Sequence, residues 1–369
     1  MTNSPLARVL KITKATISTP ISPRLFAFAK LHKDGKQLRP VVEKSRSPTI
    51  LIERMLNSFA TSTIEEYPCT VSNPVQLIHR LNALDSLDGV YFTVCDFESM
   101  FPSIRIEPCF SELRDFLIRN INDSSEHLSD ILELAHLICH SSFFVFEGDT
   151  FLQSRGVPMG SPISGTLCEL VVRRLEQQVL PGFKDDIILY ARYVDDVFIV
   201  WKRKPDLAAF IETFNSNAYG LSLRAEQQSS TNVHFLDIDI SLQQGRITTK
   251  VYRKSSYAPL FIHAQSHDPV SYKISAFKIL VRRAFTHCSS AEDRKMELES
   301  ISNVARLHGY PTRLIKALIA RHQPKSTALQ NNQSFVPITY NKILHSTYKQ
   351  IARYAGKNIA DHFLLFTKR

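Results

Sequence analysis

Glycine is scarce in this chain, with 11 residues among 369. Positions that need a left-handed backbone or a close backbone approach are therefore confined to a few places. Cysteine is sparse too. The six residues are scattered and form no Cys-x-x-Cys pair, which excludes a disulfide framework and fits a reducing compartment. His136, Cys139 and His140 bring three metal-type side chains near one helical face. They sit in an apolar helical stretch, so core packing is the expected role rather than metal binding. No apolar run approaches ~18 residues, so no membrane-spanning helix is expected. Residues 1–8 lack the apolar core of a secretion signal, and no compact basic import run is evident. These absences point to a soluble intracellular protein.

What is present is an ordinary globular composition with an unusual layout of charge. Hydrophobic residues make up 44% and charged residues 22%, which excludes wholesale disorder. The length suits two or three domains, or one multi-lobed body. The net charge of +10 favours a polyanionic partner. It is unevenly spread. Residues 1–54 hold 11 basic and 3 acidic residues, residues 55–250 hold 15 and 26, and residues 251–369 hold 19 and 6. Two basic ends flank an acidic middle, which a simple nucleic-acid-coating protein would not need.

Periodicity places strands around Leu25–Phe28 and Arg39–Val42, and a helix over residues 74–88. Tyr91–Cys95 reads as a short strand ending at Asp96. Helices are expected over 107–120, 126–142, 163–180 and 207–218. Hairpins are expected at 142–152, turning at Glu147-Gly148-Asp149, and at 233–253. Beyond about 270 the pattern is mostly helical, interrupted at Gly309–Pro311 and over 323–337. The middle is mixed α and β, and the C-terminal part is helical and basic.

Tyr193-Val194-Asp195-Asp196 lies between two apolar β-prone runs. Read alone, an Asp-Asp pair is an ordinary hairpin turn. Both carboxylates would occupy that turn, and like charges so close repel unless a cation neutralises them. Asp96, at the end of another apolar strand, supplies a third carboxylate. Such oxygen clusters suit Mg²⁺. Two ions about 4 Å apart could activate a 3′-hydroxyl and steady a leaving pyrophosphate. The segment Gly156-Val157-Pro158-Met159-Gly160-Ser161-Pro162-Ile163-Ser164-Gly165 holds three of the 11 glycines. It allows close backbone approach to a ligand and opens the following helix, or is a turn capped by Ser161. The order of these features is that of a template-directed polymerase palm.

With these blocks in hand, the sequence resembles reverse transcriptases, and more narrowly the telomerase-related Penelope-like retroelement group. Phe28–Lys33, Arg39–Val42 and Ser47–Thr49 resemble the group's fingers entry. Thr93–Ile104 resembles the first catalytic motif, Gly156–Ser164 the template-positioning motif with Met159 where many relatives carry Gln, and Tyr193–Asp196 the second catalytic motif. Phe235–Ile240 resembles the primer grip. Val251–Tyr257, Ser266–Pro269, Arg282–Ser289 and Gly309–Pro311 resemble a downstream block. Ser255-Ser256 stands where the group often has Pro-Thr, and no block resembles the GIY-YIG endonuclease that complete members often carry.

The resemblance implies an α+β right-hand polymerase. Its fingers would be residues 1–75 with an inserted segment at 106–155, its palm 76–250 with an antiparallel sheet backed by helices, and its thumb the helical, basic 251–369. Within that last region, residues 270–320 resemble a helix-turn-helix. Asp96, Asp195 and Asp196 would be the catalytic carboxylates, holding two Mg²⁺ ions (or Mn²⁺) with the backbone carbonyl of Phe97. Phe101, at the position of the steric gate, would select deoxynucleotides; otherwise it is a core aromatic. Lys30, Lys33 and Arg39 would grip the triphosphate, or form a solvated basic face. Met159, Gly160 and Ser161 would line the nucleotide pocket. Pro162 and Tyr193 would meet template and primer, unless Tyr193 is a plain cross-strand aromatic. The implied partners are an RNA template, a DNA primer and dNTPs, with nuclear residence following from retroelement biology. The rival readings are a truncated or decayed element product that binds RNA or DNA without catalysis, an RNA-copying or template-free nucleotidyltransferase, and a DNA-binding regulator.

Overall fold

The computed structural model describes residues 19–29, 38–84, 87–121, 125–254 and 260–322, with the backbone of Ser334–Thr339 and Phe363–Lys368. Lys30, Lys33, Ser255, Ser256 and Tyr257 lie outside the described residues. The chain divides into two compact units, residues 1–259 with 283–298, and residues 260–282 with 299–369.

Among the described residues, the first unit holds three sheets. β1 (Arg24–Ala29) and β2 (Leu38–Glu43) form an antiparallel pair. β3 (Tyr91–Phe97) belongs to a separate central sheet. β4 (Phe143–Phe146) and β5 (Asp149–Leu152) form a hairpin whose turn places Glu147 and Gly148 at positive φ. Arg24 pairs with Val145, so this hairpin extends the first pair into the order β2-β1-β4-β5. The central sheet has the order β6-β7-β3-β8, with β6 (Ile187–Tyr193), β7 (Asp196–Trp201) and β8 (Leu223–Ser229). β9 (Asn232–Phe235), β10 (Ile238–Gln243) and β11 (Arg246–Val251) form the third sheet.

The central sheet is buried on both faces, as its apolar runs require. Along β7, Val197, Ile199 and Trp201 face one way, and Phe198 and Val200 the other. The first face packs on α1 (Ile50–Thr63), α4 (Ile106–Asn120), α5 (Ser125–His140), α6 (Ser164–Val179) and α7 (Leu207–Asn215). The second packs on α2 (Pro74–Asn82) and on β9 and β10. The four-residue α3 (Met100–Ser103) follows β3. The chain's single Trp donates its indole N–H to the buried Thr93 hydroxyl at 3.0 Å.

In the second unit, Phe277 contacts the rings of Phe261 and Tyr310, and the Tyr310 hydroxyl donates to the Ile262 carbonyl at 2.6 Å. α8 (Val270–His287) and α9 (Ala291–Leu307) have parts in both units, and α10 (Thr312–Ala320) lies in the second. The break expected at Gly309–Pro311 falls between α9 and α10, where Gly309 has φ +78°.

Several local expectations are corrected. The run 233–242 is two strands rather than one, because Leu236 adopts a left-handed φ of 53° and folds β9 back on β10. The region beyond about 270, expected to be mostly helical with an interruption over 323–337, also contains β12 (Ser334–Thr339) and β13 (Phe363–Lys368), a parallel pair rich in β-branched and aromatic residues. α1 and β8 were not anticipated. β8 (Leu-Arg-Ala-Glu-Gln-Gln-Ser) alternates in burial, yet its inward positions are Leu223, Ala225, Gln227 and Ser229, too weakly apolar to show a period of two. Of the histidine–cysteine group, Cys139 is buried in the core, whereas His136 and His140 stack at 4.0 Å beside Phe110.

Candidate active site

Register creates the site. In the β3–β7 ladder Asp96 stands directly opposite Asp196. In the β6–β7 hairpin Tyr193 pairs with Asp196, leaving a two-residue turn of Val194 and Asp195. The expectation that both aspartates occupy the turn is corrected: Asp196 is the first residue of β7. The Phe97 N–H donates to the Asp195 carbonyl at 2.9 Å and ties the turn to β3. Carboxylate oxygens of Asp96, Asp195 and Asp196 consequently lie within 4.8 Å of one another, each half-buried. Among the described residues this is the one cluster that could hold a metal ion. Directly opposed like charges destabilise a sheet, so the arrangement calls for a cation. Three hard oxygen donors, partly open to solvent, fit a divalent ion such as Mg²⁺ that also takes phosphate oxygens.

The glycine-rich segment lies against the same structure. A Cβ on Gly156 would come within 2.6 Å of the Pro102 backbone, and the Val157 N–H donates to the Phe101 carbonyl at 2.8 Å. The Phe101 ring is half-buried and packs on the core. The Met159 carbonyl accepts the Val42 N–H at 2.8 Å, so this segment is also docked on β2. Gly160, at φ +117°, has no room for a side chain: a Cβ would sit 2.1 Å from the Val42 carbonyl oxygen. Gly160→Ala should therefore lift the segment from β2. The left-handed backbone alone costs ~1–2 kcal/mol, so thermal melting is expected to fall by several degrees. A variant that melts like the wild type would show the contact to be dispensable.

Ser161 does not cap α6. The N-cap is Ile163, without a side-chain bond. The Ser161 hydroxyl instead donates to Glu53 Oε2 at 2.6 Å. Glu53 is fully buried on α1, paired at 2.6 Å with the buried Lys44 ammonium and bonded by the Thr49 hydroxyl. Pro162 is half-buried, Arg39 is exposed on β2 opposite Phe28, and the Tyr193 ring is 37% exposed at the end of β6.

Behind the carboxylates, Arg192 on β6 is buried against Glu176 and Glu169 of α6. Burial opposes its charge, yet the two carboxylates outweigh burial and raise its pKa above the usual arginine range. Burial first, and the Asp195 charge next, push the Cys168 thiol up to about 12. It stays protonated beneath the hairpin. Sequence reasoning missed Lys44, Glu53, Glu169, Glu176 and Arg192. One signal was available, since Arg192 is a charge inside an otherwise apolar β-prone run.

Comparison with known proteins agrees with this geometry. The model for the animal helix-turn-helix domain matches residues 260–320. A telomerase reverse transcriptase from Canis lupus familiaris is 31% identical over 126 residues, 34% of this chain and 11% of that protein. Telomerase from Candida albicans, solved in complex with the TWJ fragment of telomeric RNA, superposes with a TM-score of 0.53 at 13% identity. That match covers 84% of this chain and 58% of the other. The Candida tropicalis telomerase in a like complex gives 0.53 at 12% identity, covering 82% and 56%. The chain thus spans a small part of the curated relative and a little over half of these solved ones. The shared fold is the α+β right-hand polymerase, with sheets backed by helices. The model described as reverse transcriptase (RNA-dependent DNA polymerase) matches residues 31–248, more than half of the sequence, and the chain belongs to that family.

Proposed function

We propose that this chain copies RNA into DNA as the polymerase of a Penelope-like retroelement. The observation that carries the reading is the Asp96–Asp195–Asp196 cluster at the end of β3 and β7. In this reading a primer 3′-hydroxyl attacks the α-phosphate of a dNTP paired to the RNA template, and pyrophosphate leaves. Mg²⁺ ions, or Mn²⁺ in their place, supply charge neutralisation at the reacting phosphates when bound. Asp96, Asp195, Asp196 and the Phe97 carbonyl hold them. Lys30, Lys33 and Arg39 bind the triphosphate, Met159, Gly160 and Ser161 line the nucleotide site, and Tyr193 and Pro162 support primer and template.

The fingers comprise residues 1–75 and 106–155. The sheet that joins β1 and β2 to the β4–β5 hairpin supports this division. The palm is 76–250, and the thumb is 251–369, whose helices grip the duplex backbone. The basic surplus of that region suits salt-sensitive phosphate contacts. Nuclear residence follows from the retroelement reading.

Purified protein should extend a DNA primer on an RNA template with dNTPs. Phe101→Ala should raise NTP use relative to dNTP use at least ~10-fold, because a ring at that position excludes the ribose 2′-hydroxyl by contact. Protein that binds template–primer yet incorporates nothing would overturn the polymerase reading. Unchanged discrimination would remove Phe101 from the gate.

A further inference from the structure

The turn that presents Asp195 is strained. Val194 has φ 58°, at the first position of a two-residue hairpin, where Gly, Asn or Asp normally stands. For a β-branched residue this conformation needs outside support. Packing does not supply it. Val194 is 48% exposed and borders a cavity of about 310 Å³.

A hydrogen bond from below does reach it. Arg192 donates Nη1–H to the Val194 carbonyl at 3.1 Å. The same nitrogen donates to Glu169 Oε2 at 2.9 Å, while Nε and Nη2 donate to the two Glu176 oxygens at 2.7 and 3.2 Å. The Arg192 side chain is 1% exposed and that of Glu176 0%. The backbone is pinned as well: the Arg192 N–H donates to the Cys69 carbonyl, and the Arg192 carbonyl accepts the Val71 N–H. The guanidinium cannot drift, so the carbonyl it holds cannot either.

We propose that Arg192 is a positioning residue: with Glu176 and Glu169 it clamps the Val194 carbonyl, holds the turn left-handed, and so fixes the Asp195 carboxylate beside Asp96 and Asp196. A planar fork can serve two carboxylates and a carbonyl together, whereas an ammonium on a flexible stem cannot keep that geometry. The inference deepens the polymerase reading and rests on it for its kinetic arm.

The test uses Arg192→Lys, which keeps the buried positive charge and loses the fork. Mn²⁺ binding, read from the free-ion electron paramagnetic resonance signal, should weaken at least ~5-fold. The kcat for dNTP addition should fall ~10- to 100-fold, with template–primer affinity within about twofold of wild type. Val194→Gly removes the strain, so the lysine substitution should cost less Mn²⁺ affinity in the Val194→Gly background than in the Val194 background. Unchanged Mn²⁺ affinity in folded Arg192→Lys, or an equal loss in both backgrounds, would overturn the proposal. If Arg192→Lys fails to fold, Glu169→Ala takes its place, since Glu169 is 25% exposed and removes one anchor of Nη1. It should weaken Mn²⁺ binding a few-fold, and no change would likewise overturn the clamp. A wild type that binds Mn²⁺ but extends no primer would defeat the polymerase reading and leave the positioning role standing.

Discussion

Asp195→Asn is expected to abolish primer extension, a loss of at least ~1000-fold, while template–primer binding stays within about twofold of wild type. The amide has nearly the carboxylate's shape, and the turn does not depend on the lost charge. It is tied by the backbone bond from Phe97 to the Asp195 carbonyl and by the bond from Arg192 to Val194. What disappears is one of three negative oxygen donors within 4.8 Å. In metal-free buffer the variant should melt no lower than wild type, because a repulsion has been relieved. Adding Mg²⁺ should stabilise the wild type and leave the variant nearly unchanged, since binding to the folded state alone raises stability by mass action. Full activity in Asp195→Asn would sink the proposed chemistry. An equal Mg²⁺ response in both proteins would remove Asp195 from the ion's ligands.

Lys44→Met is expected to destabilise the first unit by ~3–5 kcal/mol, the range for removing one partner of a buried ion pair. Glu53 is fully buried, and without Lys44 it would retain hydroxyl donors from Thr49 and Ser161 but no cation. The double substitution Lys44→Met/Glu53→Gln should recover most of that loss, because no unpaired charge remains inside. Glutamine keeps a carbonyl for the Ser161 hydroxyl, so the Gly160–Ser161 segment should stay on α1 and extension should return with stability. Denaturant unfolding and primer extension of the single and double variants check both statements. A Lys44→Met protein within ~1 kcal/mol of wild type would show that the pair contributes little. A double variant no more stable than the single would show that a stranded Glu53 charge is not the cause of the loss.

The legible parts of the sequence were those with a strong local period or an unusual local composition. The β3 and β7 runs are apolar and end at aspartates, so both strands and their carboxylates could be read directly. The clustering of scarce glycines marked the segment where backbones meet, and within it Gly156 and Gly160 have no space for a Cβ. β8 was illegible because its inward face, Leu223, Ala225, Gln227 and Ser229, is only partly apolar. The split between β9 and β10 was illegible because Leu236 adopts a backbone that leucine rarely takes.

By itself the sequence determined the chemistry available: which residues carry oxygen ligands, which strands run into them, and where glycine permits contact. Those are properties of side-chain type and nearest neighbours along the chain. Tertiary structure alone decided which oxygens meet. Asp96 and Asp196 face each other through a register between strands about one hundred residues apart. Ser161 bonds Glu53, rather than capping its own helix, because α1 packs beside the segment. Arg192 reaches Val194 and two glutamates because β6 lies on α6. A buried charge is tolerable only with its partners in place, and those partners are supplied by the packing of distant segments.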